Sequence, residues 1–323
     1  MNSAGNELAS AALIAVRDCM GLQKNENVLI VTDEPLRNIG YALWKAVREL
    51  GNEVLLVEIL PRKSNGEEPP SEVAALMRVH DVVLCPTSKS LTHTDARRAA
   101  SARGTRVATL PGVTEEIMIR CMNADYHRIA ERTFRLCEML EKTKAIRVTA
   151  PRGTDITLPI EGRRAYASSG LFLKHGESGN LPTGEAYLAP VEGKSNGVVV
   201  VDGSMAMIGM VKQPIKIVVR DGYAEEITGG AEATRLIQLL QPHGKDARTV
   251  AEFGIGTNDK AILSGLILED EKVMGTIHIA FGDNKSMGGS VRVASHLDGL
   301  IRKPTVWFDE QVIMKDGKFM VLL

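Results

Sequence analysis

Four short apolar runs, NVLIV, EVLLVEI, DVVLC and TRVATL, recur through the first part of the chain, each separated from the next by a stretch with helical spacing. That alternation constrains the fold more than any other feature. Runs that are apolar nearly throughout, rather than at every second position, belong to strands covered on both faces, and strands that alternate with helices form parallel sheets. After the first run, Thr32 and Asp33 are candidate caps and Pro35 suits a first turn. Leu36, Ile39, Leu43 and Val47 then recur at helical spacing until Gly51. SEVAALMRV and TDARRAASA supply two further helices. Residues 1–143 are therefore expected to form an open parallel α/β domain, closed by a long helix from about Ala124 to Lys144.

Beyond that helix the texture changes. AIRVTAPRGTDITLPIEG, GVVVVDGSMAMIG, PIKIVVRDGYAEEITGG and PTVWFDEQVIMKDGKFM alternate or run apolar between Gly, Asp and Pro turns. Asp221-Gly222 and Asp316-Gly317 are hairpin signals, and AEATRLIQLL is the one clear helix. Residues 144–323 are expected to form a mostly β, α+β domain that carries the chemistry, and 323 residues suffice for two domains.

Composition narrows the partners. A formal charge of -1 and 24% charged residues give no global attraction to nucleic acid or to an anionic membrane. The basic run DARRAASARGTR reads as a solvated helix face. The first twenty residues, MNSAGNELASAALIAVRDCM, have no basic start and meet Arg17 and Asp18 soon after a short apolar run; they read as an amphipathic helix of a cytoplasmic protein. Cys19, Cys85, Cys121 and Cys137 have no CxxC spacing and read as reduced, buried thiols. There is no GxGxxG after the first strand and no GK[ST], so the expected ligand is small and is not a dinucleotide or a nucleoside triphosphate. Open α/β sheets bind ligands beyond the carboxyl ends of their strands, which makes His93 in PTSKSLTHTDAR a candidate substrate contact, although the same run serves equally as a capping loop.

The chemistry-bearing residues of the second part are dispersed. His296 and Asp298, in ASHLDGLIRKP, stand two residues apart in a chain with only seven histidines, and on a strand their side chains point to one side. Glu185 lies in LPTGEAYLAP, Glu252 in VAEFGIGTND, and Glu271 and His278 in ILEDEKVMGTIHIAFGDN. Glu252 is flanked by apolar residues and glycine, where an unpaired carboxylate is costly, so something cationic belongs beside it. Taken singly, each acid reads as a strand-end or surface carboxylate, His278 as a satisfied sheet histidine, and LEDEK as a charged turn. Taken together, four carboxylates and two imidazoles can hold two adjacent divalent ions, with zinc, cobalt or manganese suited to such donors. Ions so held lower the pKa of bound water and polarise a carbonyl, which is hydrolase chemistry.

The phrases LPTGEAYLAP, AEFGIGTN, EDEKVMGTIHIAFGDN and HLD, in that order, resemble the aminopeptidase T (M29, thermophilic leucyl aminopeptidase-like) family of metallopeptidases. The resemblance implies an N-terminal α/β domain, a C-terminal metal-binding domain, a homodimer, and removal of N-terminal residues from peptides by a two-metal centre. Carried onto this chain, it implies metal ligands at Glu185, Glu252, Glu271, His278, His296 and Asp298. Glu252 is the expected bridge, Glu269 or Asp270 is an alternative to Glu271, and Glu185 is a candidate general base if it is not consumed as a ligand.

The chain also departs from that pattern. Family peptidases have a tyrosine seven residues beyond the histidine of the HIA phrase; here Lys285 stands there, a candidate for catalytic and substrate contact that differs in reach and charge. The segment between His278 and His296 is shorter than in the peptidases. Dihydroxypyridine ring-cleaving dioxygenases of the same superfamily use one iron(II) held by two His and one Asp, with histidine at the position of Glu252 and none at that of His278. The expectation is a metal-dependent aminopeptidase. An iron(II) oxygenase, another hydrolase of a small polar compound, and a metal-stabilised binding protein without activity are the alternatives.

Overall fold

The computed structural model describes residues 3–323, so Met1 and Asn2 of the expected amphipathic helix lie outside the described residues. The chain forms two compact units. One contains the residues up to Arg128 together with Gly170–Thr183; the other contains Ile129–Ser169 and Gly184–Leu323. The α/β and mostly β halves expected from the sequence are both present, with the division after Arg128 and with Gly170–Thr183 joining the first unit.

In the first unit the apolar runs form β1 (Val28–Asp33), β2 (Val54–Ile59), β3 (Val82–Cys85) and β4 (Arg106–Thr109). They make a parallel sheet in the order β2-β1-β3-β4, and the strand Ser178–Asn180 adds to the far side of β4. The helices are α1 (Ser3–Ile14), α2 (Arg37–Glu49), α3 (Ser71–Met77), α4 (Asp95–Ala102) and α5 (Glu115–Met122); α6 (Tyr126–Leu140) begins here and continues in the second unit. Leu29, Val31, Val83, Cys85 and Val107 of the sheet pack with Val73, Met77, Ala96 and Ala100 of α3 and α4. Thr94 caps α4 and Thr114 caps α5, their hydroxyls accepting from Arg97 N and Ile117 N.

The start of α2 differs from expectation. A 3-10 turn, Glu34–Leu36, intervenes, and Asp33 makes no side-chain cap. Its carboxylate instead accepts from Ser88, from N at 2.7 Å and from Oγ at 2.6 Å, joining the ends of β1 and β3. All four cysteines are free and buried, and no described helix is long and apolar enough to cross a membrane.

The second unit contains two antiparallel sheets. The larger has eight strands, including Ala145–Thr149, Asp155–Pro159, Asn196–Val201 and the hairpin Ile215–Arg220 with Tyr223–Thr228. The Asp221-Gly222 and Asp316-Gly317 turns form as expected, each with both central residues at positive φ. The seven-stranded sheet includes β5 (Tyr166–Ser168), β6 (Glu185–Leu188), β7 (Val250–Gly256), β8 (Thr276–Gly282) and β9 (His296–Arg302), in the order β9-β8-β7-β6-β5. Phe253 and Ile255 of β7, Ile277, Ile279 and Phe281 of β8, and Leu297 and Ile301 of β9 join a core with Ile146, Val148, Val199 and Ile217 of the larger sheet. That is the packing of a sandwich, and strand alternation leaves the intervening residues on the opposite face. α7 (Ala231–Leu240) is the expected helix, and a short α8 (Ile267–Asp270) takes up part of the run that reads as a charged turn.

Candidate metal centre

The face of the smaller sheet turned away from the sandwich core carries Glu185 and Tyr187 on β6; Glu252, Gly254 and Gly256 on β7; His278, Ala280 and Gly282 on β8; and His296 and Asp298 on β9. Register sets these side by side. Glu252 pairs with Ala280, which pairs with Asp298; Gly282 pairs with His296; Gly254 pairs with His278 on one side and Tyr187 on the other; Glu185 pairs with Gly256. Donors therefore alternate with residues too small to obstruct them. A bulge between Val250 and Glu252 breaks the β7–β8 register, so that Val250 and Phe253 both reach the core while Glu252 turns to the donor face.

Two glycines of VAEFGIG make the arrangement feasible. A Cβ on Gly254 would overlap Nε2 and Cε1 of His278, so the imidazole lies across β7 only because nothing projects there. A Cβ on Gly256 would overlap the backbone of Val273, so this glycine admits the 272–273 segment and the side chain of Lys272 to the centre.

The donors converge on Glu252. His278 Nε2 lies 3.1 Å from Glu252 Oε1, and His296 Nε2 lies 3.1 Å from Glu252 Oε2. His278 Nε2 is also 3.6 Å from Glu185 Oε2, and His296 Nε2 is 3.3 Å from Asp298 Oδ1. The same-side convergence expected of His296 and Asp298 is observed. His296 Nδ1 is 2.7 Å from the carbonyl oxygen of Asp283, which can only accept, so Nδ1 carries hydrogen and Nε2 faces the carboxylates.

The electrostatics are those of crowded negative charge. Burial favours the neutral forms throughout, but the groups oppose it. His278 is raised to about 9 against burial, first by its hydrogen bond and attraction to Glu252. His296 is raised against burial by Asp298 and then Glu252. Glu252 is held below its usual value, against burial, by the two imidazoles, and Asp298 is held low against burial by His296. Glu271 goes the other way: burial, with Asp298 and Glu185 adding to it and Lys272 opposing, pushes it up to about 8.

Lys272 is the centre's unforeseen member. Its side chain is 3% exposed, and its Nζ donates to Glu185 Oε1 and to Glu271 Oε2, each at 2.6 Å. Burial would lower its pKa, and these two carboxylates raise it instead. In sequence it belongs to LEDEK, which reads as a charged turn; the available signal was the pair of glycines in β7, since glycine inside a strand marks a close approach.

Of the residues singled out from sequence, Glu185, Glu252, His278, His296 and Asp298 come together. Glu271 is joined to them through Lys272. Glu269 and Asp270 turn elsewhere, Glu269 accepting from Ile262 N and Asp270 from Ser264 N and Gly265 N. Lys285 is exposed on the turn that follows β8. His93 belongs to the first unit, between β3 and α4.

Two sets of three donors have ligand atoms within 4.8 Å of one another: Glu185, Glu252 and His278, and Glu252, His296 and Asp298. Glu185 Oε2, buried beside His278, has no hydrogen-bond partner, and a buried carboxylate oxygen left so is costly. Oxygen and imidazole nitrogen around an orphaned buried oxygen fit divalent cations, and Glu252 is common to both sets.

The chain is similar to proteins named for two different activities. The family described as NicX: 2,5-dihydroxypyridine 5,6-dioxygenase matches residues 11–321. The 2,5-dihydroxypyridine 5,6-dioxygenase of Pseudomonas putida is 20% identical over 258 residues, 76% of this chain and 73% of that protein. Aminopeptidase PepS of Streptococcus thermophilus is 30% identical over 113 residues, 34% of this chain but only 27% of that protein. Among solved structures, the P. putida KT2440 dioxygenase superposes with a TM-score of 0.83 at 16% identity, covering 97% of each chain. Wild-type AmpT of Thermus thermophilus superposes with a TM-score of 0.70 at 18% identity, covering 98% of this chain and 99% of its own. The fold is common to both.

Proposed function

The chain belongs to the NicX family, and from its donor residues, against the dioxygenase description of that family, we propose that it is a metal-dependent hydrolase of the aminopeptidase type, cleaving an amide bond in a small peptide or similar small polar molecule. The observation that carries this reading is the composition of the two donor sets. Each has one imidazole and two carboxylates, and they share Glu252. A mononuclear iron oxygenase uses two imidazoles and one carboxylate around one ion, and His278 and His296 stand at opposite oxygens of Glu252 in different sets.

Glu185, Glu252 and His278 would hold one divalent cation, and Glu252, His296 and Asp298 a second, with zinc, cobalt or manganese suited to the donors. Such cations, when bound, polarise a substrate carbonyl and lower the pKa of water.

The protein groups supply the rest. Asp283 holds His296 in the orientation that presents Nε2. Glu271 lies in neither donor set, and its carboxylate, which accepts from Lys272 Nζ, is the proposed group to take a proton and return it to a leaving amine. Glu185 shares the Lys272 ammonium with Glu271 but is included in a donor set, which makes it less suited to that role. Lys285 is a proposed substrate contact, its ammonium suited to a negatively charged group.

A ring-cleaving dioxygenase is the second reading, favoured by the family match across residues 11–321. One experiment separates the two. The metal-stripped protein is reloaded with zinc, cobalt or manganese in air, and anaerobically with iron(II), and assayed for dipeptide and aminoacyl-anilide hydrolysis and for oxygen uptake with 2,5-dihydroxypyridine. Hydrolysis that needs no oxygen and is lost on chelation is expected. Oxygen uptake with iron alone, and no hydrolysis with any metal, would reverse the assignment.

A further inference from the structure

The two donor sets differ in one respect: only one includes a carboxylate already bound to a cation of the protein itself. Glu185 Oε1 accepts from Lys272 Nζ at 2.6 Å, leaving Oε2 as the oxygen beside His278. Glu252 and Asp298 have no lysine or arginine partner among the described residues; their partners are His278 and His296. Lys272 is buried, and Gly256 admits the segment that carries it, so its ammonium cannot swing away into water. Repulsion between like charges is strongest where water is excluded.

We infer that Lys272 is a resident cation that makes the two metal positions unequal, the one at Glu252, His296 and Asp298 filling first and the one at Glu185, Glu252 and His278 filling second and more weakly. The inference rests on the two-cation reading of the preceding subsection. Lys272 acts as a positioning residue: it holds Glu185 so that Oε2 faces His278, and it withdraws part of the negative charge that a cation there would use. The consequence is a centre whose second position empties and fills while the first stays loaded.

The test is calorimetric titration of the metal-stripped full-length chain with Mn(II) alone, the bound ion counted in parallel by electron paramagnetic resonance. The wild-type chain takes up two ions in steps separated by at least about tenfold in affinity. Lys272→Gln tightens the weaker step by about tenfold or more and leaves the stronger step in place, while Lys272→Arg, which keeps the charge, retains the separation. Glu271→Gln moves the weaker step in the opposite direction, because the ammonium then bears on Glu185 alone. Two equal steps in the wild-type chain, or a weaker step that Lys272→Gln leaves unchanged or loosens further, would overturn the inference without touching the metal centre. A wild-type chain that takes up no Mn(II) overturns the centre and the inference together. Should Lys272→Gln not fold, the separation in the wild-type chain and the direction of the Glu271→Gln change still decide.

Discussion

Strands β1 and β7 are equally buried and chemically opposite. Every residue of Val28–Asp33 and of Val250–Gly256 is shielded from solvent. β1 presents Val, Leu, Ile and Val in succession, whereas β7 places Phe253 and Ile255 toward a sandwich core and Glu252, Gly254 and Gly256 toward other donors. The contrast teaches that burial alone does not distinguish structural from chemical strands. What distinguishes them is whether one face demands compensation. An apolar side chain contributes about 1.5–3 kcal/mol by being buried, while a buried carboxylate costs stability unless a cation or hydrogen-bond donor stands beside it.

The contrast is broken most severely at Glu252. Because both donor sets contain this residue, Glu252→Gln is expected to abolish both steps of Mn(II) uptake and the hydrolysis with them. The loss should exceed the roughly 10–100-fold that follows removal of an outer partner of a metal ligand. Titration and a peptide-hydrolysis assay measure it, and retention of both steps would refute the bridging position. Leu29→Ala in β1 should do the reverse. Leu29 is fully buried, so its truncation costs about 2–5 kcal/mol in a denaturant titration while the number of ions bound stays the same.

The same contrast explains what was legible from sequence. The strands of the first unit announce themselves because both faces are apolar, and the Asp-Gly turns because φ is positive at both central residues. Ser178–Asn180 has no such mark. It is three residues long and polar, and is held by its ladder to β4 and by Asn180 Oδ1 accepting from Thr92 and Thr109 hydroxyls, contacts distant in the chain. Asp33, a candidate cap by sequence, is turned away from that role for a related reason, since its partner Ser88 is supplied by another strand's loop. In the centre, His296 and Asp298 were readable because a period of two puts neighbours on one face. Lys272 was not, because the residues that neutralise its charge include Glu185, far away in sequence.

Gly254 sharpens the comparison at smaller scale. In a strand like β1 a glycine would only weaken packing, but at Gly254 a methyl group would overlap the His278 ring. Gly254→Ala should therefore loosen Mn(II) binding at the Glu185, Glu252 and His278 position by about 10–100-fold, comparable to the loss of an outer partner, and spare the other step. An equal effect on both steps would mean that the ring position does not separate the two sets.

The smallest effect is expected where the donor sheet depends on a loop that the first sheet has no counterpart for. Glu192 accepts from Asn284 Nδ2 at 2.9 Å and from Ser290 N at 2.7 Å, and pairs with Arg163, which also donates to the Gly288 carbonyl. These bonds tie the turn between His278 and His296, the turn whose Asp283 carbonyl orients His296. Burial alone would raise the Glu192 pKa, but the Ser290 and Asn284 hydrogen bonds and Arg163 bring it down to about 2. A carboxylate lowered on folding contributes stability that is present above its ordinary pKa and lost as pH falls toward the folded value. Glu192→Gln should thus lower the melting temperature at pH 7 and differ progressively less from the wild-type chain as pH falls from about 4.5 toward 2. Melting curves of the two chains across that range supply the measurement. A difference that stays constant with pH would show that the carboxylate's charge contributes nothing to the clasp and that the loop is held by shape alone.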